Sequence, residues 1–488
     1  MPRRPLILVA AAVAAPLAAG CSSDDENTNP VENHPLAVAC NDTLEAVYGD
    51  PGPLTGPAGS ILRCARDGAM TVEQIQTQLD AQSYVGEPMR SGARVFRVLY
   101  RTERATGEPG YSTAMVYVPT VVRAEKMPAI VVSHGSRGQA AHCAPSIADP
   151  RAEQVNDDQE RMVLTWVGAG FPVIAPDLAG FSHYGALGNP VSGYNVSADV
   201  GRSTLDGARA MRLLTPSMLS DQVVLTGHSQ GGHTAFSALA LAETYAPDVS
   251  ITAVATFVPN WLSQRSWGAL FALPGVYTFE KQATANAVSL CYHYTAAEVL
   301  DGPGRAADIV RPDKFDAVKE FVDSTCWGPP YPLMNALGTS LLDVFEPEFT
   351  EAVKLPAAFG APCPEDEPGK STCEKWVARY LADRPHLTGE AATVPILVSY
   401  GGKDDAITPN RFQCVIDRLE EDKANLEYCF DPEGMHGELP AQLGGYAIAW
   451  VAHKTLGEPL TAPCPSTEMN LVDDKGDPQK CETPPPND

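Results

Sequence analysis

Basic residues are scarce in this chain, and so are the residue spacings that commonly hold metal ions. The 488 residues include 35 lysines and arginines against 60 aspartates and glutamates, which gives a formal net charge of −25 at pH 7. Because a surface of that sign repels polyanions, we expect no nucleic-acid partner. The sequence contains neither a CxxC nor an HExxH pattern. We therefore expect no metal site and no cofactor.

Long apolar runs are also missing, apart from one near the N-terminus. Arg3 and Arg4 precede an apolar run over residues 6–17, which is the layout of a secretory signal and is short for a membrane span. The run ends in LAAGC at residues 17–21, which resembles the lipobox of bacterial lipoproteins. We therefore predict a signal peptide over residues 1–20, a lipid on the Cys21 thiol and a tether over residues 21–36. An ordinary signal peptide without a lipid is the alternative. With the lipid, the exported chain would be anchored to a membrane at the cell surface or in the periplasm, and it could also be released outside the cell.

Cysteine, in contrast, is well represented, with twelve residues in the chain. Twelve cysteines indicate disulfide bonds and an oxidising compartment. The spacing does not determine the connectivity, but short loops favour local pairs. These are Cys40–Cys64, Cys291–Cys326, Cys363–Cys373, Cys414–Cys429 and Cys464–Cys481. Apart from the lipidated Cys21, this hypothesis leaves Cys143 without a partner.

Strand-like and helix-like segments alternate along most of the chain. Residues 94–100 and 112–119 are predicted to form a pair of strands joined by a turn-rich segment. Short apolar runs typical of parallel strands that are buried on both faces occupy residues 129–135, 171–178, 223–229, 251–259 and 395–402. Helical patterns occupy residues 158–170, 199–215, 230–246, 410–423 and 440–456. This order predicts a mostly parallel, doubly wound α/β sheet, the α/β-hydrolase architecture.

One long interval interrupts the alternation. Residues 260–393 contain amphipathic stretches and no clear strand, and they are too many for a plain loop. We predict that they form a mainly helical cap inserted between two parts of the hydrolase core, at 37–259 and 394–460. Residues 461–488 would then form a C-terminal tail. In the cap, Trp267, Leu270 and Phe271 would share one helix face, which could line an acyl tunnel, form a lid or pack in the core of the cap.

The stretch VVLTGHSQGGHTAF at residues 223–236 carries the clearest chemical signal. A buried-type strand ends in the pattern Gly-x-Ser-x-Gly around Ser229, and a helical pattern follows directly. A sharp strand-to-helix turn at this point would present the serine hydroxyl at the end of the strand, and the flanking glycines would relieve crowding. We predict Ser229 as a nucleophile, with His228, His233 and His134 as structural neighbours.

A serine nucleophile needs a base and an acid, which this architecture supplies later in the chain in the order acid, then histidine. The frame Gly-x-x-Asp-x-x-x-Pro fits Gly402, Asp405 and Pro409, so Asp405 is the predicted acid and Asp404 the alternative. His436 follows the next strand-like run, between two glycines, and is the predicted base, ahead of His453. The backbone N–H groups of Gln230 and Ser136 are the predicted oxyanion-hole donors.

Three stretches of this sequence resemble the secretory lipase family, which includes fungal lipase A-type enzymes and bacterial exported relatives. They are SHGSRGQAAHCAPS, APDLAGF followed by DVGRSTLDGARAMRLL, and GHSQGGHTAFSALALAETYAPD. The resemblance implies an α/β-hydrolase with a helical cap that cleaves carboxylic esters with a Ser-Asp-His triad and no cofactor. It maps to Ser229, Asp405 and His436, although the fungal branch has an acidic residue in the loop where this chain has His-Gly-Ser. Because CAPS includes Cys143, the resemblance also implies a partner for that cysteine.

We therefore predict a serine carboxylic-ester hydrolase, a triacylglycerol lipase or a carboxylesterase, that acts on lipid or smaller ester substrates. A serine exopeptidase on the same fold is one alternative, which an acidic patch in the cap for a free amino terminus would favour. A non-catalytic binding lipoprotein is the other, and it would be expected to have lost catalytic positions that this sequence retains.

Overall fold

The computed structural model describes residues 35–121, 123–152, 158–181, 191–260, 264–272, 279–327, 337–338, 340–472 and 476–481. The predicted signal peptide, Cys21 and most of the predicted tether lie outside these residues. No helix in the described ranges is long and apolar enough to cross a membrane.

A nine-stranded sheet forms the centre of the fold. Its strands are β1 (Ile61–Met70), β2 (Ala93–Glu103), β3 (Pro109–Pro119), β4 (Met127–Ser133), β5 (Val173–Pro176), β6 (Leu219–His228), β7 (Ser250–Phe257), β8 (Pro395–Gly401) and β9 (Asn425–Asp431). Their spatial order is β1-β2-β3-β5-β4-β6-β7-β8-β9. The pairs β1–β2, β2–β3 and β3–β5 are antiparallel, and the pairs from β5–β4 to β8–β9 are parallel. The predicted mostly parallel sheet is confirmed.

The pattern of apolar residues explains why β4 and β5 form and why the sequence does not predict β1. Every residue of β4 and β5 is buried, as expected for strands covered by helices on both faces. Strand β1 was not predicted, since its sequence mixes charged and apolar residues. Its pairing with β2 is also irregular, with register shifts between Ile61 and Arg63 and between Arg66 and Gly68.

The helices of the hydrolase core are α1 (Leu44–Val47), α2 (Val72–Ala81), α3 (Asp158–Gly168), α4 (Ser197–Leu214) and α5 (Gln230–Tyr245), followed after the insertion by Pro409–Glu421, Leu439–Gln442 and Gly444–Leu456. The core helices after α2 lie close to their predicted positions, with the pattern over residues 440–456 divided into two helices, whereas the sequence does not predict α1 and α2. Helix α5 starts one residue after Ser229, at the C-terminal end of β6. The carboxyl ends of the parallel strands are where this type of sheet carries its functional loops.

The segment between β7 and β8 is helical. Its described residues form α6 (Gln264–Ala272), α7 (Phe279–Leu300), α8 (Phe315–Ser324), α9 (Pro347–Phe359) and α10 (Gly369–Ala382), and contain no strand longer than an isolated bridge. These helices pack around a second apolar cluster, which also includes Tyr194 and Val196. Trp267, Leu270 and Phe271 are all buried in it, which agrees with the core alternative for this helix face.

The described residues contain five disulfide bonds, and three of the five predicted pairs are wrong. Cys40–Cys64 and Cys363–Cys373 are confirmed. The other bonds are Cys143–Cys326, Cys414–Cys481 and Cys429–Cys464. Cys291, predicted to pair with Cys326, is a buried free thiol on α7. The preference for short loops fails because Cys326 lies beside the loop after β4, where Gly138 and Cys326 form an isolated bridge.

Candidate active site

Ser229 occupies a strained turn between β6 and α5. Its backbone φ is 53° and ψ is −116°, a conformation that side-chain-bearing residues rarely adopt. Its N–H donates to the Phe257 carbonyl at 3.0 Å, and its carbonyl accepts from the Asn260 N–H at 2.7 Å. These two bonds fix the turn to the end of β7, the neighbouring strand.

The two glycines of the motif are required by close backbone approach. A Cβ atom at Gly227 would lie 2.1 Å from the Gly231 carbonyl oxygen, and a Cβ atom at Gly231 would lie 2.0 Å from the Ser133 carbonyl oxygen. Any other residue would therefore push α5 away from β6 or from the end of β4. The turn is built for the backbone conformation of the serine, which is the arrangement of a nucleophile elbow.

His436 lies in the loop after β9 and is bonded to a buried carboxylate. Its Nδ1 is 2.7 Å from Asp404 Oδ2, and the Asp404 side chain is 0 % exposed. Asp404 Oδ1 accepts from the N–H groups of Ala406 at 2.9 Å and Ile407 at 2.7 Å. Every oxygen of this carboxylate is thus occupied, which holds its orientation toward the histidine.

The carboxylate that contacts His436 belongs to Asp404, the alternative, and not to Asp405, the predicted acid. Asp405 is exposed and Asp404 is buried. The sequence frame was ambiguous because two glycines, Gly401 and Gly402, precede two aspartates. Strand β8 ends at Gly401, and the turn that follows directs the first carboxylate inward. Pro409, the proline of the frame, therefore stands five residues after the aspartate that contacts His436, where the frame has four.

His228 links the two halves of the site, which the sequence did not predict. It is the last residue of β6, directly before Ser229, and is 4 % exposed. Its Nε2 lies 2.8 Å from the backbone carbonyl oxygen of His436, and the centroids of the two imidazole rings are 4.6 Å apart. The structure thereby brings Ser229, His436 and Asp404 into one neighbourhood.

The other three histidines considered in the sequence, His134, His233 and His453, each have a ring nitrogen within hydrogen-bond distance of a backbone carbonyl oxygen. His134 Nδ1 lies 2.7 Å from the Gly135 carbonyl oxygen. His233 Nε2 lies 2.8 Å from the carbonyl oxygen of Asp383, and burial lowers the pKa of His233 to about 4, although that hydrogen bond opposes the shift. His453 is exposed on the last helix, with Nδ1 2.8 Å from the Glu458 carbonyl oxygen.

The loop after β4, which carries the predicted donor Ser136, is fixed by the cap. The Ser136 hydroxyl lies 2.8 Å from the Tyr194 hydroxyl, and the ring of Tyr194 lies 5.3 Å from that of Trp327. The backbone N–H of Trp327 donates to the Arg137 carbonyl at 2.8 Å. The Cys143–Cys326 disulfide joins the same two segments covalently. Because the backbone of Gly231, at the start of α5, closely approaches that of Ser133, this loop also borders the turn that carries Ser229.

Asp383, just after α10, connects the cap to the core beside the site. Its carboxylate accepts from the Ser197 N–H and the Tyr292 hydroxyl, both at 2.8 Å, and its carbonyl accepts from the Ser197 hydroxyl at 2.8 Å. Burial raises the pKa of Asp383 to about 7, against the opposing effect of those hydrogen bonds and of Arg379. An ionisable group thus lies buried where α7 and α10 meet the N-termini of α4 and α5.

One group of described side chains has the proximity of a metal site, namely His142, Cys143 and Cys326. The two cysteines are joined in a disulfide and offer no thiolate ligand.

Comparisons with known proteins agree with the fold. Residues 153–263 match the family described as secretory lipase. The chain is 25% identical over 173 residues to a secreted triacylglycerol lipase, LIP4, of Malassezia furfur; the match covers 34% of this chain and 31% of that protein. The chain thus spans about a third of the length of the curated relative that it matches.

Two solved structures have the same architecture at low sequence identity. The rice cell wall degrading esterase LipA of Xanthomonas oryzae is 18% identical with a TM-score of 0.58, over 82% of this chain and 99% of that one. Candida antarctica lipase A in its closed state is 16% identical with a TM-score of 0.57, over 91% and 90%. The resemblance to the secretory lipase family is therefore confirmed at residues 153–263, on a chain that has the α/β-hydrolase fold.

Proposed function

We propose that this chain is an exported serine carboxylic-ester hydrolase, a lipase or esterase, with Ser229, His436 and Asp404 as its catalytic residues. The observation that supports this most directly is the 2.7 Å contact between His436 Nδ1 and Asp404 Oδ2 beside the strained turn of Ser229. A buried carboxylate bonded to Nδ1 fixes the histidine tautomer in which Nε2 can accept a proton.

In the proposed reaction, Ser229 Oγ attacks the ester carbonyl carbon while His436 Nε2 takes the serine proton. Asp404 stabilises the imidazolium that forms. The N–H groups of Gln230 and Ser136 donate to the oxyanion of the tetrahedral intermediate. His436 then gives its proton to the departing alcohol, which leaves an acyl-serine. Water attacks that ester, His436 again takes and returns a proton, and the carboxylic acid is released.

The names of the relatives support an ester substrate. One is described as a secreted triacylglycerol lipase and another as a rice cell wall degrading esterase. Lipid esters and smaller carboxylic esters are the proposed substrate classes. The five disulfide bonds are typical of an exported protein. We further propose the Cys21 lipid as the membrane anchor, on the sequence pattern alone.

Hydrolysis of p-nitrophenyl esters from acetate to palmitate, alongside amino-acyl anilides, tests the proposal. We expect ester turnover by the wild-type protein and a loss of about 10⁶-fold in Ser229→Ala, since removing the nucleophile disables the whole triad. Ser217→Ala is the matched control, because Ser217 is exposed two residues before the same strand begins. Anilide turnover without ester turnover would instead support an exopeptidase, and ester turnover that survives Ser229→Ala would refute the mechanism.

A further inference from the structure

We infer that His228 is a positioning residue that holds the base His436 in register with the nucleophile Ser229. The inference rests on the proposed function and deepens it. It stands on two contacts: His228 Nε2 to the His436 carbonyl oxygen at 2.8 Å, and the two rings at 4.6 Å with 53° between their planes. A carbonyl oxygen only accepts, so Nε2 of His228 carries the hydrogen and donates it.

The backbone around His436 is flanked by residues that permit many conformations, so a restraint on its position matters. Gly434 and Gly437 flank it, and glycine leaves the backbone the widest conformational freedom. Its described anchors lie at either side of the histidine: the Lys403 N–H donates to the Gly434 carbonyl at 3.0 Å, and Arg161 contacts the Gly437 carbonyl. The bond from His228 acts on the backbone of His436 itself.

The position of His228 in the sequence gives this bond its significance. Residues 228 and 229 are consecutive, so any movement of the β6 end carries the donor and the nucleophile together. The distance between Ser229 and the His436 backbone is thereby set through one side chain, rather than through the long path by way of β8 and β9. A misplacement of about 1 Å between reacting groups can cost about 100-fold in rate.

Three substitutions separate positioning from simple destabilisation. His228→Phe keeps a ring and removes the donor, His228→Gln keeps an N–H near the position of Nε2, and His228→Asn has an amide too short to reach the carbonyl. We expect kcat to fall about 10- to 100-fold in the Phe and Asn variants with KM within about twofold, and to recover most of its value in the Gln variant. The Gln and Asn pair remains informative even if the Phe variant does not fold.

The pH profile gives a second readout that a purely structural role would not change. Without the hydrogen bond from His228, the contact between His436 Nδ1 and the Asp404 carboxylate would have poorer geometry. The carboxylate would then stabilise the protonated form of His436 less. We therefore expect the acid limb of kcat/KM to move to lower pH in the Phe and Asn variants but not in Gln. His453→Phe is the control, because it removes another histidine-to-carbonyl bond at an exposed position of the last helix.

Equal activity in all three His228 variants and the wild type would overturn the inference, and so would equal losses in Gln and Asn or an unmoved acid limb. Ser229→Ala measured in the same assay keeps the two hypotheses apart. If Ser229→Ala is inactive while His228→Phe retains wild-type kcat, only the role of His228 fails. If Ser229→Ala retains ester turnover, the proposed function itself fails.

Discussion

The choice between two adjacent aspartates gives the sharpest test of the site. Asp404 and Asp405 are chemically identical and consecutive, but only Asp404 is buried against His436. In Asp404→Asn the remaining side-chain oxygen can still accept from the Ala406 and Ile407 N–H groups, so the turn should survive. The new NH₂ group would then face His436 Nδ1, and it can only donate.

That reversal determines the size of the expected effect. With Nδ1 forced to accept, the hydrogen of the neutral imidazole moves to Nε2, which can no longer take the proton of Ser229. Substitution of the acid by asparagine in a serine triad lowers kcat by about 10⁴-fold, which corresponds to about 5 kcal/mol of activation free energy. Asp405→Asn should leave kcat within about twofold, since surface substitutions have small effects.

Both variants can be compared with the wild-type protein by p-nitrophenyl butyrate hydrolysis, with circular dichroism and thermal unfolding to verify folding. A loss of activity in Asp405→Asn that equals or exceeds the loss in Asp404→Asn would refute the assignment. So would an Asp404→Asn variant that is folded and within tenfold of the wild-type kcat.

Two further predictions concern stability. Because burial raises the pKa of Asp383 from 3.8 to about 7, its favourable contribution is complete below pH 3.8 and is lost as pH rises through 7. Relative to Asp383→Asn, the wild type should therefore lose stability from pH 4 to pH 7, by on the order of 4 kcal/mol at most; a Tm difference that does not change over this range would contradict it. The opposite contribution of His233 is present in both proteins and cancels. Removing Cys143–Cys326, with a sequence separation of 183, should cost more than removing Cys363–Cys373, with a separation of 10; loop entropy gives about 5 and about 3 kcal/mol. Urea unfolding of the two double Cys→Ser variants measures this order, which equal losses would refute.

Local patterns predicted those parts of the structure that local physics determines. Apolar runs identified β4 to β8, because strands buried on both faces need little else. Ser229 and His436 could be proposed from the sequence because the turn around a nucleophile imposes glycines at fixed spacing and because the order of catalytic residues in this architecture follows the order of strands. The interrupted alternation of strands and helices predicted the inserted helices, and the resemblance to a family supplied the expectation of a partner for Cys143.

The remaining features depend on contacts between distant segments. Which aspartate faces His436 is decided by where β8 ends, which a spacing rule cannot resolve to one residue. His228 was predicted only as a structural neighbour of Ser229, and side chains of consecutive strand residues point to opposite faces. The loop after β9 nevertheless brings the His436 carbonyl to it, 208 residues along the chain. Three of the five predicted cysteine pairs were wrong for the same reason, because proximity in sequence says little about proximity in the folded chain.

The two disulfides at the sides of the sheet bear on how the protein would aggregate. At β1, Asn41 pairs with Ala65 next to the Cys40–Cys64 bond; at β9, Ser466 pairs with Phe430 next to the Cys429–Cys464 bond. Each terminal strand thus has a short segment fastened along its outer side. Unpaired outer strands are templates for adding strands from other molecules. A reducing environment would break both disulfide bonds and free these segments from β1 and β9. We therefore expect reduction to promote intermolecular strand pairing as well as to lower stability.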